Sequence, residues 1–96
     1  MAAPAVTPGP GLVSVVTTGG TAVTAVGPSP NGGFITNPAT ATSTLFVNPV
    51  GTAGTTASGT TFGLAPGQSW SLIPGQTTPT SVNSTDSNHA FSVVVY

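Results

Sequence analysis

Two side chains in this sequence can begin an acid–base argument: Asp86, its one acidic residue, and His89, its one histidine. They stand three apart in Asn83-Ser84-Thr85-Asp86-Ser87-Asn88-His89. A serine hydrolase needs a histidine to take the hydroxyl proton, a carboxylate to orient the ring, and donors for the oxyanion. A metal site needs three or four ligands. One Asp and one His fall short of the second requirement, and serine is too abundant here to single out a nucleophile for the first. Asp, Asn and Ser bond nearby backbone and tolerate turn geometry, so the stretch reads as a solvated turn. The expected catalytic, cofactor-binding and metal-binding residues are none, and the chain is not expected to be an enzyme. Asn83-Ser84-Thr85 matches the N-glycosylation sequon, which has meaning only in a eukaryotic secretory pathway. A phosphate-cradling loop is excluded, because its motif requires a lysine and the chain has none.

The missing lysine and arginine reach further. Charged residues make up 1% of the chain, against about 25% in ordinary soluble domains. Free monomers stay apart partly through mutual repulsion, so a chain with a net charge of -1 is expected to spend its life assembled. Nucleic acid is excluded as a partner, since its affinity rests mainly on cationic contacts that release counterions. No apolar run approaches the ~20 residues of a membrane helix, and no membrane association is expected. The N-terminus lacks the positive region with which a secretory signal begins. With no cysteine, neither disulfides nor thiolate zinc can support a small core. Hydrophobic packing must hold the fold, and the mean hydropathy of +0.34 argues against disorder despite the Gly and Pro content.

The elements that must carry these residues read as strands. Residues 1–10, with Pro4, Pro8 and Pro10, form an extended arm, because each proline fixes φ and lacks an amide hydrogen. Residues 11–96 form a single β domain. Leu12-Val13-Ser14-Val15-Val16-Thr17 and Thr21-Ala22-Val23-Thr24-Ala25-Val26 are β-branched runs around Gly19-Gly20, which predicts an N-terminal hairpin over 12–26. Pro28, Pro30 and three glycines make 27–33 a loop. Core strands fill 34–96: Phe34-Ile35-Thr36-Asn37 ends at Pro38, and Thr44-Leu45-Phe46-Val47-Asn48 ends at Pro49. Residues 50–59 are small and polar, the composition of a mobile loop. Phe62 with Leu64, and Trp70 with Leu72, share faces on either side of Pro66-Gly67, which fits the centre of a type II turn and predicts a second hairpin. Pro74-Gly75-Gln76 turns the chain again. In the last strand Phe91, Val93 and Val95 share a face. Trp70 is expected at the centre of the core, where an aromatic of its class buries about 150 to 250 Å². The fold class is all-β, a small antiparallel sandwich or barrel with an extended N-terminal arm.

Four segments carry a family likeness: Gly32-Gly33-Phe34-Ile35-Thr36-Asn37-Pro38, Thr44-Leu45-Phe46-Val47-Asn48-Pro49, Thr61-Phe62-Gly63-Leu64-Ala65-Pro66-Gly67-Gln68-Ser69-Trp70, and His89-Ala90-Phe91-Ser92-Val93. From Gly32 onward, about two-thirds of the chain resembles small β-sandwich virion proteins of tailed bacteriophages. That resemblance implies a structural virion protein with no catalytic residues. Its first form is a capsid decoration (cement) protein on the exterior of a phage head, with the major capsid protein as partner and a homo-oligomeric state, trimer ahead of dimer. The alternative is a fibre, neck or tail component that contacts a receptor or glycan; a free bacterial adhesion domain is a third.

Overall fold

The computed structural model describes residues 11–16, 20–26, 31–86 and 88–96. Eight strands follow one another in this region: β1 (Gly11–Val16), β2 (Val23–Val26), β3 (Gly33–Thr36), β4 (Leu45–Asn48), β5 (Phe62–Leu64), β6 (Ser69–Leu72), β7 (Thr80–Asn83) and β8 (Ala90–Val95). They form two four-stranded antiparallel sheets, ordered β1-β8-β3-β6 and β2-β7-β4-β5. The order has a simple generator. β1 pairs with β8, β2 with β7, β3 with β6 and β4 with β5, as if one long hairpin with its tip between β4 and β5 had been rolled up. Closing contacts β3–β8 and β4–β7 then join these pairs into sheets. This is the jelly-roll form of the β-sandwich, two interlocked Greek keys.

Each sheet turns one face inward, so buried residues alternate with less buried ones along the strands. Phe91, Val93 and Val95 of β8 are buried as their spacing predicts, opposite Leu45 and Val47 of β4 and Val82 of β7 from the other sheet, with Ile35 of β3 beside them. A fully buried side chain of this size contributes about 1.5–3 kcal/mol. Trp70 is not the centre. It is half-buried on edge strand β6, its ring packed on Phe62 of edge strand β5 with centroids 5.0 Å apart. The two aromatics face each other across the open side of the sandwich and close it there. A tryptophan is large enough to span that gap, which is why it serves at the edge.

Two predicted hairpins are also corrected. β1 and β2 lie in different sheets, paired with β8 and β7, so there is no hairpin over 12–26. Six residues of β1 match six of the valine-rich β8, a longer apolar ladder than four-residue β2 offers. The turn at Pro66-Gly67 has the expected form: Gln68 N–H donates to Ala65 O at 2.9 Å and Gly67 has φ +86°. Yet the strands it joins, β5 and β6, belong to opposite sheets, so it is a corner between layers. Pro74-Gly75 likewise turns the chain, with Gln76 N–H on Ile73 O and Gly75 at φ +81°. The N-terminal arm over 1–10, Gly19 of the first turn and most of the loop at 27–33 lie outside the described residues.

Residues 50–59 are pinned over the outer face of the β2-β7-β4-β5 sheet. Ala53 is buried there; its N–H donates to Ser81 Oγ and its carbonyl accepts from Asn83 Nδ2. Asn48 secures the start of the loop, donating to Thr52 O and Thr61 Oγ1 and accepting from Val50 N–H. Polar side chains at alternate strand positions thus find partners in the chain's own loop, as buried amides must.

Candidate functional site: a polar cluster at one end of the sandwich

Four connections meet at one end of the sandwich, as their hydrogen bonds record. The β3–β4 connection meets β5–β6 through Asn37 N–H to Gln68 O (2.9 Å) and Gly67 N–H to Asn37 O (2.7 Å). The β1–β2 connection meets β7–β8 through Gly20 N–H to Ser84 O at 2.7 Å. Between them sit Asn37, Ser43, Asp86 and His89.

Asn37 follows β3 directly and precedes Pro38, which cannot continue a ladder. The strand stops there and its side chain turns into the end of the core, fully buried. Its Nδ2 donates to Leu64 O (2.8 Å) and Ser43 O (3.1 Å), both carbonyls. The amide oxygen therefore faces His89, whose Nε2 lies 2.8 Å away. An oxygen can only accept, so Nε2 carries the hydrogen of this bond. The other ring nitrogen, Nδ1, meets Ser43 Oγ at 3.1 Å. Ser43 Oγ gives its one hydrogen to Asp86 Oδ2, which stands 3.7 Å from Nδ1 and takes a longer contact from Thr42 Oγ1. The chain's one acid and its one histidine thus converge on the same serine.

The predicted solvated turn is half right. The chain does bend at Thr85, Asp86 and Asn88, and the Asp86 side chain is 43% exposed, but that of His89 is only 3% exposed. A local reading of turn composition carries no trace of Asn37, fifty-two positions away, whose carbonyl makes burying the imidazole affordable. Asn37 and Ser43 were missed altogether. The available signal was the Asn-Pro step at the end of a β-branched run, which occurs again at Asn48-Pro49 and again marks a buried, bonded asparagine. Asn83 of the sequon is buried too, its amide committed to Gly20 O and Ala53 O, so it presents no acceptor at the surface.

Hydroxyl, imidazole and orienting amide stand here in the order that nucleophilic catalysis uses. A nucleophile also needs donors where an oxyanion would form. Beside Ser43 Oγ stands the Asp86 carboxylate instead, which repels negative charge. The bonding fits a fastener: the imidazole ties the β7–β8 connection to Asn37 and Ser43 of the β3–β4 connection, and Asn37 in turn holds Leu64 O at the end of β5. Against it lies an open depression of about 570 Å³ whose walls include Thr40, Thr42, Asp86, Asn88 and His89. Hydroxyls, an amide and one carboxylate can bond a neutral, hydroxyl-rich ligand; no lysine or arginine stands there for an anionic one.

No protein-family model matches the chain, and neither a curated protein nor a solved structure is detectably similar to it. Fold and site together define its class: an all-β sandwich of jelly-roll order, capped at one end by a buried polar cluster.

Proposed function

We propose that this chain is a non-enzymatic structural protein of a phage particle, a decoration or cement protein bound to the exterior of the head through the major capsid protein and present as a homo-oligomer, a trimer ahead of a dimer. The observation that carries the reading is a jelly roll almost without charge. Such double sheets recur in virus capsid and lectin domains, but a fold alone assigns no function, and the surface supplies the second support. Threonine and serine hydroxyls hydrate it, and no lysine or arginine is present to keep copies apart. Whatever binds the closed shell and not the open one stabilises the shell by mass action. Apolar contacts and hydroxyl or backbone hydrogen bonds supply the interface, so attachment depends weakly on salt, unlike charge-steered association.

The test is the copy number of the chain in purified particles by quantitative mass spectrometry, with a salt wash beside it. Hundreds of copies that stay attached in NaCl support head decoration. Release by moderate NaCl, or absence from particles, overturns it. One observation favours the tail or fibre reading with a glycan-contacting role: the depression walled by Thr40, Thr42, Asp86 and Asn88, whose groups suit sugar hydroxyls. A copy number of a few or a dozen, with glycan binding abolished by Asp86→Ala, would establish that reading instead.

A further inference from the structure

The two sheets treat their outer faces differently. Over β2-β7-β4-β5 the chain lays its own 50–59 loop, with Ala53 as the buried plug. Over β1-β8-β3-β6 the described outward positions of β3, β6 and β8 are half-buried or exposed, and they are apolar at one end. Gly33 stands opposite Leu72 and Val95 in the ladder, so Tyr96, Gly32 and Ile73, one residue beyond, form the next row across the sheet. Tyr96 N–H donates to Gly32 O, and Pro74 packs over Gly32. Since Val95 and Leu72 point into the core, strand alternation turns Tyr96 and Ile73 outward, and each is about half exposed, 49% and 52%. The next outward row adds Phe34 opposite Val94, both half-buried. An apolar patch without charged side chains therefore covers the end of the sheet where β8 finishes.

What covers it is indicated by where the chain enters. β1 is antiparallel to β8, with Gly11 opposite Val95, so residues 1–10 join the fold at the rim of this patch. They carry Ala2, Ala3, Ala5 and Val6 with no charged side chain, a composition that matches an apolar face. Fully extended, ten residues reach about 33–36 Å, well past the roughly 20 Å that a six-residue strand spans.

We propose that residues 1–10 of a second copy dock on this face, packing their alanines and Val6 against Tyr96, Ile73, Phe34 and Val94, so that copies are joined by exchanged arms. The contact is heterologous, with arm on face, and closes into a ring when the rotation between copies permits; a trimer is such a ring. The inference rests on the homo-oligomeric part of the proposed function, and it is tested on the isolated protein so that its failure is distinct from a failure of the particle reading.

The experiment is native mass spectrometry with light scattering on the full chain, on a chain lacking residues 1–10, and on Tyr96→Ser/Ile73→Ser, in which both substituted side chains are exposed. The full chain is expected to self-associate. Removing the arm should give a folded monomer, and the double variant should weaken association by about tenfold or more. Mixing the truncated chain with a synthetic peptide of residues 1–10 should protect the amides of β3 and β8 from hydrogen exchange, and should not do so in the double variant. A full chain that stays monomeric overturns the proposal, including the case where truncation merely uncovers the face within one molecule. So does a truncated chain that keeps the oligomer.

Discussion

Asn37→Ala tests the logic of the polar cluster most directly. The side chain is fully buried and holds three partners: Leu64 O, Ser43 O and the Nε2–H of His89. Alanine keeps none of them. The bonds to Leu64 O and His89 are buried and that to Ser43 O is part-buried, so water can replace the last and not the first two. Leaving a buried donor or acceptor unpaired costs about 1–3 kcal/mol each, which gives roughly 2–6 kcal/mol, with a small further cost for the vacated volume. For a domain of this size, total stability is about 5–14 kcal/mol. The variant should therefore lose a large share of it, about 3–5 kcal/mol. Urea unfolding followed by Trp70 fluorescence measures this: at a slope of about 1.5 kcal/mol/M the midpoint falls by roughly 2–3 M. Asn37→Asp should be at least as damaging, because it sets acceptor against acceptor at Leu64 O. A loss below about 1 kcal/mol in Asn37→Ala would mean that the amide is not the hub of this end, and the argument for the cluster as a fastener would fail with it.

Gly33→Ala should cost at least about 3 kcal/mol, because a Cβ there would sit 2.0 Å from Val94 O and 2.8 Å from Val95 Cα at φ +148°; thermal unfolding by circular dichroism checks this, and a near-wild-type melt would contradict the β3–β8 register. Phe91→Ala should destabilise more than Trp70→Ala, about 3–5 kcal/mol against ~1.5–3 kcal/mol, since Phe91 is fully buried and Trp70 lies half-buried at the edge; near-ultraviolet circular dichroism can follow both unfolding transitions, and the reverse order would return Trp70 to the centre of the core. Ala53→Asp should lift the 50–59 loop from its sheet, because a carboxylate cannot occupy that buried site unpaired; the amides of Ala53 and Gly54 should then exchange faster while those of β8 do not, and unchanged exchange would show that the plug is not needed.

How much of this was legible beforehand depended on the range of each interaction. Period-two burial along β8 and the Pro-Gly turn at Pro66-Gly67 follow from neighbours one to three residues apart, and both are present as expected. Strand pairing is a long-range choice. The same glycine-punctuated runs suit a hairpin or two strands in opposite layers, and only competition with β8 and β7 for the same edges separates β1 from β2. The cluster follows the same rule. Asp86 and His89 were visible as rare residues, but His89 is buried because Asn37 and Ser43 approach it from positions remote in the chain.

The sequence by itself determined an all-β chain, the turns at Pro66-Gly67 and Pro74-Gly75, and a surface without lysine or arginine, because these depend on side-chain chemistry and on backbone preferences expressed within a few residues. The tertiary structure alone decided the jelly-roll order, the edge position of Trp70, the docking of the 50–59 loop, and the meeting of Asn37, Ser43, Asp86 and His89. Each of those required closing a loop of tens of residues, whose entropy is repaid only when many distant contacts form together.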